Sequence, residues 1–164
     1  MEALYLTAAI PAWGANLTKR AVGTAKCVVA DSAVALNLDR MTEDQLLGIP
    51  GYRALGGLLE GLVASELIKQ RAWSAERPNI FHFRDSDGSE VDLVLELRDG
   101  RVILIEVKAS STYRSEHFKG MKALAGLLGD RLVAGVVLAT ADHPYRYSDK
   151  LWGLPISSLW TPPT

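Results

Sequence analysis

A single cysteine among 164 residues leaves no partner for a disulfide within the chain and cannot build a cysteine-rich zinc site. Cys27 falls in the apolar run Cys27-Val28-Val29-Ala30 and reads as a buried strand residue. The three histidines, His82, His117 and His143, lack metal-ligand spacing, which argues against zinc. A dominant charge is missing as well. Lys and Arg number 18 against 19 Asp and Glu, so no global basic field draws the chain to nucleic acid, and only a local patch could. Trp13, Trp73, Trp152 and Trp160 are scattered and form no visible stacking platform for single strands. No apolar run approaches the roughly 18 residues of a membrane span. The opening Met1-Glu2-Ala3-Leu4-Tyr5 lacks the basic start and apolar run of a signal peptide, so a cytoplasmic protein without membrane contact is expected. Repeats and low-complexity tracts are absent. So is the Gly-x-x-x-x-Gly-Lys-[Ser/Thr] phosphate loop of an ATPase.

What remains is a globular composition, 48% hydrophobic and 23% charged, of a size that supports a real core. Strands are expected over 3–10 and 26–30, and Asp31-Ser32 caps a short helix through Leu38. Thr42 with Gln45 makes a capping box for a second short helix, stopped by Gly48 and Pro50. A long helix follows over 51–71, then a strand over 79–84 and two more around Asp92 and Glu106. Another helix starts at Ser115 and closes at Gly129, and an apolar strand spans 131–140. Residues 144–147 read as loop or edge, and 151–160 as a tail with one more strand. The pattern predicts an α/β protein, with residues 1–50 as an extension of strands and short helices packing on a core over 51–164.

The stretch from Gly88 to Lys108 carries the chemistry. With a three-residue loop, Arg98-Asp99-Gly100, Leu97 pairs with Arg101 and one hairpin face collects Val91, Leu93, Leu95, Ile103, Ile105 and Val107. A slip of one residue would mix polar and apolar side chains on both faces, so the hydrophobic pattern selects this register. The loop asks for a left-handed residue, which Gly100 supplies. Asp92 then lies opposite Glu106, and Glu90 opposite Lys108. Facing carboxylates repel unless one is protonated or a cation lies between them, and hard oxygen donors suit Mg²⁺ or Mn²⁺. Lys108 stands beside them, placed to orient a water or to neutralise charge on a phosphoryl oxygen. The alternative is an ordinary cross-strand salt bridge between Glu90 and Lys108.

On the long helix, Leu55, Leu58, Leu59, Leu62 and Val63 form an apolar stripe at about 100° per residue. Glu66 falls in the middle of it and needs a partner, either a metal or an arginine such as Arg84. Glu60 falls at the edge, where a side chain can reach a cleft at the sheet end. Arg84, Ser110, Lys119 and Lys122 are candidate phosphate or nucleic-acid contacts, each with an ordinary surface role as the alternative.

The order Gly56-x-x-x-Glu60, Asp92, Glu106-x-Lys108 resembles the PD-(D/E)xK nuclease superfamily. More narrowly, the chain resembles the C-terminal domain of unknown function that follows AAA-type ATPase modules. The resemblance is carried by Ala12-Trp13, Leu17 to Arg20, Lys26 to Asp31, Leu59-Glu60 through Leu67, Phe83-Arg84, Glu90 to Asp92, Ile105 to Lys108, Phe118-x-Gly120, Gly135 to Leu138 and Leu154-Pro155. It implies a restriction endonuclease-like mixed sheet flanked by helices, with an N-terminal strand and loop extension. It also implies Mg²⁺- or Mn²⁺-dependent hydrolysis of DNA phosphodiesters. Asp92, Glu106 and Glu60 would then hold metal, with Glu66 as the alternative helix carboxylate and Lys108 as the catalytic lysine. The aspartate is preceded by Val91 where the superfamily often has proline. The implied partners are DNA and an ATPase module, located in a missing N-terminal region or a separate chain, and a homo-oligomer is compatible with this reading. The second expectation is a nuclease-fold module, weak or silent in catalysis, that serves an ATPase by binding nucleic acid or protein.

Overall fold

The computed structural model describes residues 6–14, 23–38, 40, 42–48 and 52–161. Strands β1 (Thr7–Ile10) and β2 (Lys26–Val29) form an antiparallel ribbon. Helix α1 (Ser32–Leu38) is capped by Asp31, whose Oδ1 accepts the N–H groups of Ala33 and Val34. Helix α2 (Glu43–Leu47) starts with the expected Thr42/Gln45 capping box. Helix α3 (Tyr52–Arg71) leads into the main sheet. Its strands are β3 (Asn79–Arg84), β4 (Glu90–Glu96), β5 (Val102–Lys108), β6 (Leu132–Ala139), β7 (Tyr145–Arg146) and β8 (Leu151–Pro155), in the order β3-β4-β5-β6-β8-β7. The sheet is mixed: β3, β4 and β5 run antiparallel, β5, β6 and β8 run parallel, and β7 returns antiparallel. A parallel step needs a long crossover, and helix α4 (Lys119–Leu128), entered through a 3₁₀ turn at Ser115–Phe118, supplies it between β5 and β6.

The sheet is covered on both faces. Against one face, Phe118, Met121, Leu124 and Leu128 of α4 and its entry turn pack on Val94, Leu104 and Val137. Against the other, Val63 and Ala64 of α3 join Ile10 and Val28 of the ribbon over Leu93, Ile105, Val107 and Leu138. Two-sided burial explains why β5 is nearly continuous Val, Leu and Ile. The N-terminal extension is stitched to β3, where Trp13 N–H donates to the His82 carbonyl at 2.6 Å and His82 N–H to that of Pro11 at 3.0 Å. Trp13 lies in the α4-side core, edge-on to Phe83.

Two expectations need correction here. Cys27 is on a strand, but it is exposed: a two-stranded ribbon has one covered face, and Val28 takes it. Glu66 does not point at the sheet or at Arg84. Its carboxylate accepts from Lys69 Nζ at 2.6 Å and from Trp160 Nε1 at 3.0 Å, and these bonds hold its pKa below the usual carboxylate range. Arg84 is exposed at the end of β3, opposite Glu90. No helix among the described residues is long and apolar enough to cross a membrane.

Candidate active site

The hairpin forms in the predicted register, with Leu97 N–H bonded to the Arg101 carbonyl at 2.8 Å and Gly100 at φ +83°. The β4–β5 ladder runs from Glu96↔Val102 to Leu93↔Ile105. At Asp92 the plain ladder pairing with Glu106 gives way to a side-chain contact, and the cause is a bulge. Strands β3 and β4 pair Phe81 with Val94 but Phe83 with Val91, so Asp92 and Leu93 together oppose His82. A bulge bends its strand and re-aims the side chains in it. Val91 is consequently carried into the α4-side core, away from the face expected for it, while Leu93 and Leu95 stay on the α3 side. The Asp92 carboxylate turns to accept the Val107 N–H at 2.8 Å.

Around Asp92 the charges come from α3, β5 and the ribbon. Glu60 reaches in from the middle of α3. Lys26 of β2 pairs with Glu60 and lies 3.7 Å from Asp92 Oδ1. Lys108 Nζ donates to Glu106 Oε1 at 2.6 Å. The Glu106 side chain is only 12% exposed, and its Oε2 is buried with no hydrogen-bond partner among the described residues. Burial, followed by the charge of Asp92, pushes the Glu106 carboxyl up to about 7, against the pull of Lys108. Burial acts on Lys108 in the opposite sense, but Glu106, Asp92 and Glu90 outweigh it and its pKa stands above the ordinary lysine value.

A cleft of about 420 Å³ opens here, with Glu60 and Asp92 on its wall together with Lys108, Ser110, Arg114 and His117. The structure thus brings Glu60, Asp92, Glu106 and Lys108 together and leaves Glu66 elsewhere on α3. Ser110 lines the cleft, but its hydroxyl donates to the Thr112 carbonyl at 2.8 Å. Lys119 is exposed, and Lys122 bonds the Tyr147 hydroxyl at 3.2 Å. Arg114, Glu116 and His117 line the cleft and were missed by sequence reasoning, as was Lys26, which pairs with the cleft residue Glu60. Arg114 and His117 had a signal: they follow the carboxyl end of a strand, where open α/β sheets place their ligand crevices. Lys26 had only its place in the Lys26–Asp31 stretch that carries the family resemblance, because the folded ribbon is what brings it to α3.

Hard oxygen donors and an orphaned buried carboxylate oxygen suit a divalent cation in chemical type. As the side chains stand, no three His, Cys, Asp or Glu groups among the described residues gather into a ready-made metal set. Lys26 and Lys108 supply the positive charge instead.

The fold and cluster define a mixed α/β domain with buried carboxylates and lysines at the end of its central hairpin. The chain belongs to the family described as a domain of unknown function, DUF4143, whose model matches residues 55–159 and so spans α3 through the turn after β8. No curated protein and no solved structure matches the chain.

Proposed function

We propose that this domain is a nuclease of the PD-(D/E)xK, restriction endonuclease-like kind, hydrolysing DNA phosphodiesters with Mg²⁺ or Mn²⁺ and serving an AAA-type ATPase. The observation that carries the reading is the buried Glu106 carboxyl beside the charges of Asp92 and Lys108, with one of its oxygens left without a hydrogen-bond partner among the described residues. A structural ion pair needs one carboxylate per ammonium; a spare buried acid is costly unless something else uses it. Asp92, Glu106 and Glu60 would hold the ion, which when bound supplies charge stabilisation at the phosphoryl oxygen and an acidified water. Lys108, half-buried and charged beside Glu106, would orient the attacking water and meet the negative charge developing on the phosphate. Asp92 is held for this by the Val107 N–H, so its carboxylate has a set direction.

One observation favours the second reading, a silent nucleic-acid-binding or protein-binding module: the Lys26 ammonium already answers Glu60 and Asp92. The two readings separate in a nicking assay on supercoiled and branched DNA with Mg²⁺ or Mn²⁺. The nuclease reading expects cleavage that drops by at least about 100-fold in Asp92→Ala and in Lys108→Ala. Cleavage surviving both substitutions would be a contaminant's. No cleavage and no metal-induced rise in melting temperature would leave only the second reading.

A further inference from the structure

Ser110, Arg114, Glu116 and His117, on the connection from β5 to α4, line the same cleft as Lys108, Glu60 and Asp92. We infer that Lys108, Arg114 and His117 form a seat for the non-bridging oxygens of a nucleic-acid phosphodiester, with the Nε2–H of His117 as a fixed donor. The inference rests on the reading of this cleft as the place where a phosphodiester lies.

The turn that carries His117 is anchored by packing and a hydrogen bond. Phe118, the next residue, is fully buried against α4's core and stacks on Tyr147 with ring centroids 4.3 Å apart. Ser115 Oγ and the Tyr147 hydroxyl are 2.9 Å apart, which ties the start of the turn to the same tyrosine. His117 Nδ1 accepts the Arg114 N–H at 3.3 Å. That bond assigns the proton of the neutral ring to Nε2, the nitrogen left for a ligand. Burial first, then the neighbouring charge of Lys108, lowers the His117 pKa, so the ring is a neutral donor at neutral pH and adds no charge to the cleft. Arg114 supplies the charge: its side chain is 68% exposed and pairs with Glu116 only at 3.5 Å, leaving the guanidinium fork available. A phosphodiester needs both kinds of contact, since a charged group draws the anion in and a fixed neutral donor sets its orientation.

The two roles give different signatures in one experiment. A short fluorescein-labelled DNA, single-stranded or duplex, is titrated with the full chain in EDTA, and anisotropy is followed over a range of salt. Asn at position 117 can accept the Arg114 N–H near the Nδ1 position but has no atom at Nε2, whereas Gln can place its amide N–H near Nε2. His117→Asn should weaken binding about fivefold with the salt slope unchanged, and His117→Gln should bind much as wild type does. Arg114→Gln should weaken binding and reduce the salt slope by about one. Inorganic phosphate at matched ionic strength should displace DNA more readily from wild type than from His117→Asn, which separates capture of the phosphate group from diffuse attraction to the polymer. The inference is overturned if wild type binds no DNA, if His117→Asn binds as wild type does, or if the Asn and Gln variants weaken binding equally. If this pattern holds while cleavage is absent, the seat stands and the nuclease reading falls.

Discussion

Glu106, buried beside the cleft-lining Asp92 and Lys108, is the acid whose proton the fold retains. Its folded pKa of about 7 lies above the ordinary 4.5, so the folded protein holds this proton more tightly than the unfolded chain does. The associated stability is complete below the unfolded value and is lost as pH rises through about 7. Relative to Glu106→Gln, wild type should therefore lose about 5 °C of melting temperature between about pH 5 and about pH 8. Melts of the two proteins in matched buffers read this directly, and a difference that does not vary with pH would remove the protonated carboxyl from the account. Lys26 makes the complementary case. Its ammonium occupies the space between Glu60 and Asp92, so a divalent ion must compete with it. Lys26→Met should bind Mn²⁺ about tenfold more tightly by calorimetry, because a carboxylate pair stripped of its counter-charge seeks another. Lys119→Met, which removes an equal charge from an exposed site, should not. Equal affinity in wild type and Lys26→Met would show that the ammonium is no competitor.

Most elements could be read from local chemistry. The Thr42/Gln45 box, Asp31 as a cap and Gly100 in its left-handed turn each satisfy backbone groups within a few residues, so their signals are local. The hairpin register was legible because only one pairing keeps an apolar face together. The bulge at Asp92 and Leu93 was not, since neither residue is diagnostic of an extra position and the cause is strand β3 alongside. The same limit explains Glu66. Periodicity placed it in the middle of the apolar stripe of α3, but its partner Trp160 is far off in sequence and comes close only through the turn after β8. Gly120 marks another contact set by packing: a Cβ there would collide with the Glu90 carbonyl oxygen, so the first turn of α4 lies against the start of β4. Gly120→Ala should cost about 1–3 kcal/mol in a urea melt, with the loss read from the midpoint. A neutral result would mean that α4 shifts freely, which would also loosen the turn carrying His117.

The molecule as a whole is a three-layer arrangement with its chemistry where the layers meet. The α4 layer holds the turn of Arg114 and His117, the sheet holds Asp92, Glu106 and Lys108, and the α3 layer with the ribbon contributes Glu60 and Lys26. A nearly neutral chain can concentrate opposite charges in one cleft in this way without a basic surface. Composition and periodicity sufficed for the α/β class, the order of elements and the pairing of the central hairpin, because each depends on the hydrophobic pattern of neighbouring residues. They sufficed also to single out Asp92, Glu106 and Lys108, since charge inside an apolar strand is costly wherever the strand ends up. The resemblance favoured Glu60 where periodicity favoured Glu66; tertiary packing put Glu60 at the cleft and Glu66 beside Trp160, delivered Lys26 from the ribbon, turned the Asp92 carboxylate toward Val107 and opened the cleft to His117. Those choices depend on which side chains meet across layers, and no local pattern encodes a distance between residues so far apart along the chain.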